Sequence, residues 1–179
     1  MCGRYALTLP PDIVRAYFAY GDQPNFPPRY NIAPTQPIAI VRWDQGRRRF
    51  ALARWGFLPA FVKDMREFPL IINARAEGIE DKPSFRSAIR RRRCLVPADG
   101  YYEWRSEGRG RKQPYLIRRP DHAPLAFAGI WETWHAADGS EMDTACIITC
   151  AANATVAAVH ERMPVLIARD SFDLWLDPN

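Results

Sequence analysis

Pro37-Ile38-Ala39-Ile40-Val41-Arg42-Trp43, Asp44-Gln45-Gly46 and Arg47-Arg48-Arg49-Phe50-Ala51-Leu52-Ala53-Arg54-Trp55 form one continuous stretch that decides the fold. Two runs rich in β-branched, aromatic and alternating residues flank a short turn that ends in glycine, which reads as a β-hairpin. The same signal recurs outward from it. Strands are expected at 4–8, 70–73, 94–96, 100–105, 114–119, 125–134, 144–150 and 164–167. Helices are fewer. Pro10-Pro11-Asp12 opens one that runs through Tyr20, with proline and an acid suited to a first helical turn. Short helices are expected at 84–91, 154–161 and 171–176, the last capped by Asp170. Residues 21–37 hold five prolines, Asn25 and Asn31 and read as a long loop of the functional kind. Closely spaced short strands with peripheral helices predict an α+β, mainly antiparallel β fold with a barrel-like core.

The chain has 179 residues, 47% of them apolar, which is enough for one core and for a single domain over 1–179. Glycine and proline, 10 and 16, are too few and unpatterned for a collagen-like or low-complexity chain. No apolar run reaches the ~20 residues of a membrane span, so no membrane partner is expected. Met1-Cys2-Gly3-Arg4-Tyr5 lacks the regions of a secretory signal, which points to a reducing cytoplasm. The net charge is +5. The cations are 22 Arg and only 3 Lys, and guanidinium suits phosphate, although a GC-rich genome produces the same bias. Three basic runs stand out: 47–49, 90–93 and 109–112. Each reads by itself as a solvated turn or helix end, and the 90–93 run is expected to be largely solvated.

Four cysteines occupy positions 2, 94, 146 and 150 without CxxC or histidine spacing, so no metal site is expected. Cys94, Cys146 and Cys150 lie in apolar runs and read as small buried hydrophobes. Cys2 differs. Removal of Met1 would leave it as a 1,2-aminothiol whose amine and thiol both titrate near neutrality. Such a group condenses with an aldehyde, first as a Schiff base and then as a five-membered thiazolidine. Three further polar residues stand in notable contexts. Asn73 follows the apolar Leu70-Ile71-Ile72. Glu103 shares a strand face with Tyr101 and Arg105, and His160 sits at a helix-to-strand junction. From their contexts alone, Asn73 also reads as a strand-end capping amide and Glu103 as an ordinary outward carboxylate, and His160 reads first as a surface histidine.

Cys2-Gly3-Arg4-Tyr5, Arg29-Tyr30-Asn31-Ile32-Ala33-Pro34, Trp55-Gly56-Phe57, Asn73-Ala74-Arg75-Ala76-Glu77, the 99–104 strand and His160-Glu161-Arg162-Met163-Pro164 follow one another along the chain. This series resembles the SOS response-associated peptidase (SRAP) family. The resemblance implies a barrel-like SRAP fold and recognition of abasic sites in single-stranded DNA, with a covalent thiazolidine crosslink at Cys2. It implies that Asn73, Glu103 and His160 complete the catalytic set, and that Arg4, Arg75, Trp104 and Arg162 hold DNA. Phe61 stands in for a wedge residue that the 57–68 segment does not clearly supply. Relatives usually continue through another strand beyond the point where this chain ends. No cofactor is implied. A monomer is expected, cytoplasmic and nucleoid-associated when bound. The family is also credited with autocatalytic removal of its first residue, although ordinary initiator processing would suffice. Two other readings of the residues are a noncatalytic single-strand-binding module and a hydrolase with Cys2 as an N-terminal nucleophile.

Overall fold

A computed structural model describes residues 2–179. Its elements in chain order are β1 (Tyr5–Leu7), α1 (Pro11–Phe18), β2 (Arg29–Ile32), β3 (Pro37–Asp44), β4 (Arg47–Trp55), β5 (Asn73–Arg75), α2 (Arg86–Arg91), β6 (Arg93–Ala98), β7 (Gly100–Ser106), β8 (Lys112–Arg118), β9 (Leu125–His135), β10 (Glu141–Ala151), α3 (Ala154–Ala157), β11 (Arg162–Pro164) and α4 (Phe172–Leu176).

The β3–β4 hairpin forms as expected, with Asp44 opposite Arg47 and both turn residues, Gln45 and Gly46, at positive φ. That is the turn geometry whose twist matches the strands. Strands β4, β3, β6, β9 and β10 then pair in sequence, and β10 returns to β4, closing a five-stranded barrel. The fold is α+β and mostly antiparallel, with β10 running parallel to both β4 and β5. The core is filled by Ile38, Ile40, Trp55, Leu95, Phe127 and Ile147. Gly129 is dictated by packing. A Cβ there would stand 2.9 Å from Cys94 Sγ and 3.1 Å from the Cys146 carbonyl. Gly56, at φ +154, leaves space that the Arg54 guanidinium and Leu70 fill. No helix among the described residues is long and apolar enough to cross a membrane.

A second sheet, β2-β1-β7-β8, leans on the barrel. Strand β7 continues β6 after Asp99, whose carboxylate accepts hydrogen bonds from the Thr8 amide, the Thr8 hydroxyl and the Leu9 amide. This clamp anchors the chain just after β1, and through it the N-terminus.

Several expectations change. Strand β2 lies within the stretch read as a loop, because its pairing with β1 brings Ile32 opposite Tyr5 despite the surrounding prolines. Strand β5 begins at Asn73 instead of ending there, and β11 begins at Arg162. The 154–161 helix stops at Ala157, so His160 is not helical. Asp170 does not cap α4; it sits in a 3₁₀ turn, Arg169–Ser171, that leads into it. The 90–93 run is only half solvated. Arg92 bonds Glu132 at 2.6 Å, and Arg93 donates to the Trp175 carbonyl at 2.6 Å and the Ile89 carbonyl at 2.8 Å. In the 47–49 run Arg48 pairs with Asp173 and Arg49 with Asp22, so this charge too is committed to structure.

Candidate active site

Cys2 is fully buried immediately ahead of β1. Beside β1 runs β7, where the Tyr102 amide donates to the Arg4 carbonyl at 2.9 Å. Alternation along β7 turns Tyr101 and Glu103 inward, 1% and 2% exposed, and Tyr102 and Trp104 outward. Glu103 therefore faces the interior where Cys2 ends. Burial, and then the negative charge of Glu103, push the Cys2 thiol above its ordinary value, so it keeps its proton. The Tyr101 phenol is raised by burial first, then by Cys2, Glu103 and Cys150, so the same three groups lie within its field.

His160 reaches this corner from the barrel side. Asn153 caps the short helix α3 by accepting the Val156 amide at 3.0 Å, and the His160 amide closes the following turn on the Val156 carbonyl at 2.9 Å. The Arg162 amide donates to His160 Nδ1 at 3.0 Å. The Arg162 carbonyl lies 3.2 Å from the same nitrogen, so one residue's backbone holds the ring edge at both its amide and its carbonyl. Nε2 points at Glu103 Oε2, 3.9 Å away. A buried carboxyl group, an imidazole and a protonated thiol thus share one corner.

Asn73 and Arg75 reach the site's barrel side on β5, opposite Ile147 and Thr149 of β10. Asn73 Nδ2 donates to the Ile147 carbonyl at 3.4 Å, while its Oδ1 is buried with no hydrogen-bond partner. Such an orphaned acceptor costs about 1–3 kcal/mol, which a ligand donor would recover. Arg75 is exposed. Arg162 is not a free cation: it holds Glu77 through two bonds of 2.8 and 2.9 Å and donates to the Thr149 carbonyl at 2.8 Å. The side-chain bonds from Arg162, and then a backbone amide, hold the Glu77 carboxyl down at about 2. On the other sheet Arg4 Nη1 donates to Asn31 Oδ1 at 3.0 Å. Trp104 is 38% exposed on the outer face of β7. Phe61 is exposed in the segment after β4, and its ring contact is an edge-on one with Phe68.

The structure thus brings Cys2, Glu103 and His160 together. Asn73, Arg75 and Arg162 lie around the last residues of β10, and Arg4 and Trp104 on the neighbouring small sheet. Glu77 and Thr149, which hold Arg162, and Asn31, which holds Arg4, were not singled out in the sequence. Glu77 and Asn31 stand inside the conspicuous 73–77 and 29–34 motifs, whereas nothing in sequence singles out Thr149.

A closed five-stranded barrel with a buried cysteine at position 2, a carboxylate and an imidazole defines a class: the chain belongs to the SOS response associated peptidase (SRAP) family, which matches it over residues 1–179. Among its relatives, abasic site processing protein YoaM of Bacillus subtilis is 37% identical over 181 residues, covering 99% of this chain and 80% of the relative. Abasic site processing protein HMCES of Xenopus tropicalis is 28% identical, covering 99% of this chain and 66% of that protein. A crystal structure of a Bacteroides thetaiotaomicron protein superposes with a TM-score of 0.90 at 28% identity, over 99% of this chain and 82% of that one.

Proposed function

We propose that this protein recognises abasic sites in single-stranded DNA and crosslinks to them through Cys2. The observation that carries the reading is the corner shared by the Cys2 thiol, the Glu103 carboxylate and the His160 imidazole. The names of the relatives supply the substrate class.

Met1 leaves first, because the Cys2 nitrogen is otherwise an unreactive amide. The freed amine attacks the aldehyde carbon of the ring-opened sugar, forming a carbon–nitrogen bond. Loss of water gives the imine. The sulfur then adds to the imine carbon and the nitrogen takes up a proton, closing the thiazolidine with one water lost overall. A buried, protonated thiol needs a base at that step, and Glu103 is the adjacent acceptor. His160, whose Nε2 faces Glu103, passes a proton to the oxygen departing as water. Asn73 Oδ1 accepts from a sugar hydroxyl. Arg4, Arg75 and Arg162 hold phosphates, Arg162 after exchanging Glu77 for the ligand, while Trp104 and Phe61 contact bases. The protein acts as a cytoplasmic monomer that joins the nucleoid when bound.

The test is incubation with an abasic single-stranded oligonucleotide and a denaturing gel. A denaturation-resistant band is expected from the parent, Cys94→Ala and Cys146→Ala. Absence of that band from the parent, with Met1 removed, would sink the reading.

A further inference from the structure

The small sheet has two faces, and only the inner one has been used so far. On the outer face Tyr102 and Trp104 alternate with the inward Glu103, so a surface begins one residue from the catalytic carboxylate. Tyr30 stands beside it on β2, an edge strand of the same sheet. The Tyr102 hydroxyl donates to the Tyr30 carbonyl at 2.8 Å, across the sheet from β7 to β2. The next residue, Asn31, receives Arg4 Nη1 at 3.0 Å, and the Arg4 carbonyl in turn accepts the Tyr102 amide. Arg4, Asn31 and Tyr102 are thus tied together, and the Tyr30 backbone is held by the Tyr102 hydroxyl.

Tyr30 is 68% exposed, well above Trp104 at 38%. A large ring held out in water on a fixed backbone gains nothing from folding. It is, however, a stacking platform prepared in advance, with a guanidinium, that of Arg4, bound to the next residue, Asn31. Because Cys2 ends at the inner face of this sheet, a strand whose damaged sugar reaches Cys2 must pass its neighbouring nucleotides over the sheet's edge.

We propose that Tyr30 is a base-stacking residue for a nucleotide flanking the lesion, with Tyr102 the positioning residue that fixes it through its hydroxyl. The inference rests on the single-strand reading above and names the side on which the undamaged bases lie. The positive Arg4, bound to the residue that follows Tyr30, favours an anionic strand over a neutral protein partner.

The experiment measures anisotropy of a labelled, undamaged single-stranded oligonucleotide at several salt concentrations. Tyr30→Ala should weaken binding roughly 5- to 100-fold, the usual range for one stacked base. Tyr30→Phe should bind like the parent, since the ring is kept. The salt slope should not change, because a neutral ring releases no counterions. The second probe is a strand of sugar–phosphate spacers without bases, to which the parent and Tyr30→Ala should bind alike. Undiminished binding of the undamaged strand by Tyr30→Ala would overturn the proposal. So would an equal penalty on the base-free strand, which would report misfolding or a protein-facing role. The adduct assay is separate: a parent that stacks bases but forms no adduct refutes the crosslinking function and leaves Tyr30 standing.

Discussion

Alkaline pH is the perturbation that most directly reads how the cysteines are placed. Cys2, Cys94 and Cys146 are each fully buried, and burial holds all three thiols above their ordinary value of 9.0. Glu103 adds to the shift at Cys2, and Cys94 to that at Cys146. A thiol with a raised folded-state pKa binds its proton more tightly folded than unfolded. Its full stabilisation is therefore present below the unfolded value and is lost as pH rises through and beyond it. At about pH 10, one unit above that value, each thiol should forfeit about 1.4 kcal/mol, and the three together about 4 kcal/mol. That is a large share of the roughly 5–15 kcal/mol of a typical domain. Tyr5 and Tyr101, also raised by burial, add to the loss at still higher pH. The assay is urea unfolding under reducing conditions near pH 7.5 and pH 10, on the chain retaining Met1 so that Cys2 does not itself carry the α-amine. Cys2→Ala and Cys146→Ala should each remove about one third of the pH-dependent loss, whatever they cost at neutral pH. A Cys2→Ala protein that loses as much stability as the parent would refute the placement of this thiol in the buried corner beside Glu103.

Other predictions concern packing, charge and rate. Gly129→Ala drives a methyl against Cys94 Sγ at 2.9 Å and the Cys146 carbonyl, and should cost about 1–3 kcal/mol in denaturant unfolding; a neutral substitution would refute the close approach. If about three to five phosphates are neutralised, log affinity for undamaged single strands should fall against log salt with a slope of roughly −2 to −3.5. Arg4→Gln and Arg75→Gln should each flatten that slope by about 0.7. Glu77→Gln should tighten binding by releasing Arg162, and unchanged affinity would show that this pair stays closed on DNA. Glu103→Gln and His160→Ala should reach the same adduct about 10²- to 10⁴-fold more slowly in single-turnover time courses; parent rates in both would remove them from the chemistry.

Local signals made the strands legible, and long-range pairing hid what joins them. Asp44-Gln45-Gly46 announces the β3–β4 hairpin because turn chemistry is local. Nothing local tells that β10 runs beside β4 with Ala145 opposite Trp55, yet that pairing closes the barrel. Strand β2 went unread because prolines flank it and its partner, β1, lies more than twenty residues away. Period-two alternation correctly put Glu103 and Tyr101 on one face of β7, but not that this face is the buried one. The 3.9 Å approach of His160 to Glu103 spans 57 positions and two sheets, so spacing alone could not disclose it. The basic runs misled for the same reason. Arg48, Arg49, Arg92 and Arg93 find acceptors that only the tertiary fold supplies.

Intact-mass analysis of the product formed with an abasic single-stranded oligonucleotide, followed by peptide mapping, tests the central claim most directly. The account predicts one adduct equal to the protein without Met1 plus the oligonucleotide less one water, mapping to Cys2 and missing from Cys2→Ala. An adduct of the same mass that persists in Cys2→Ala, or maps to another residue, would contradict it.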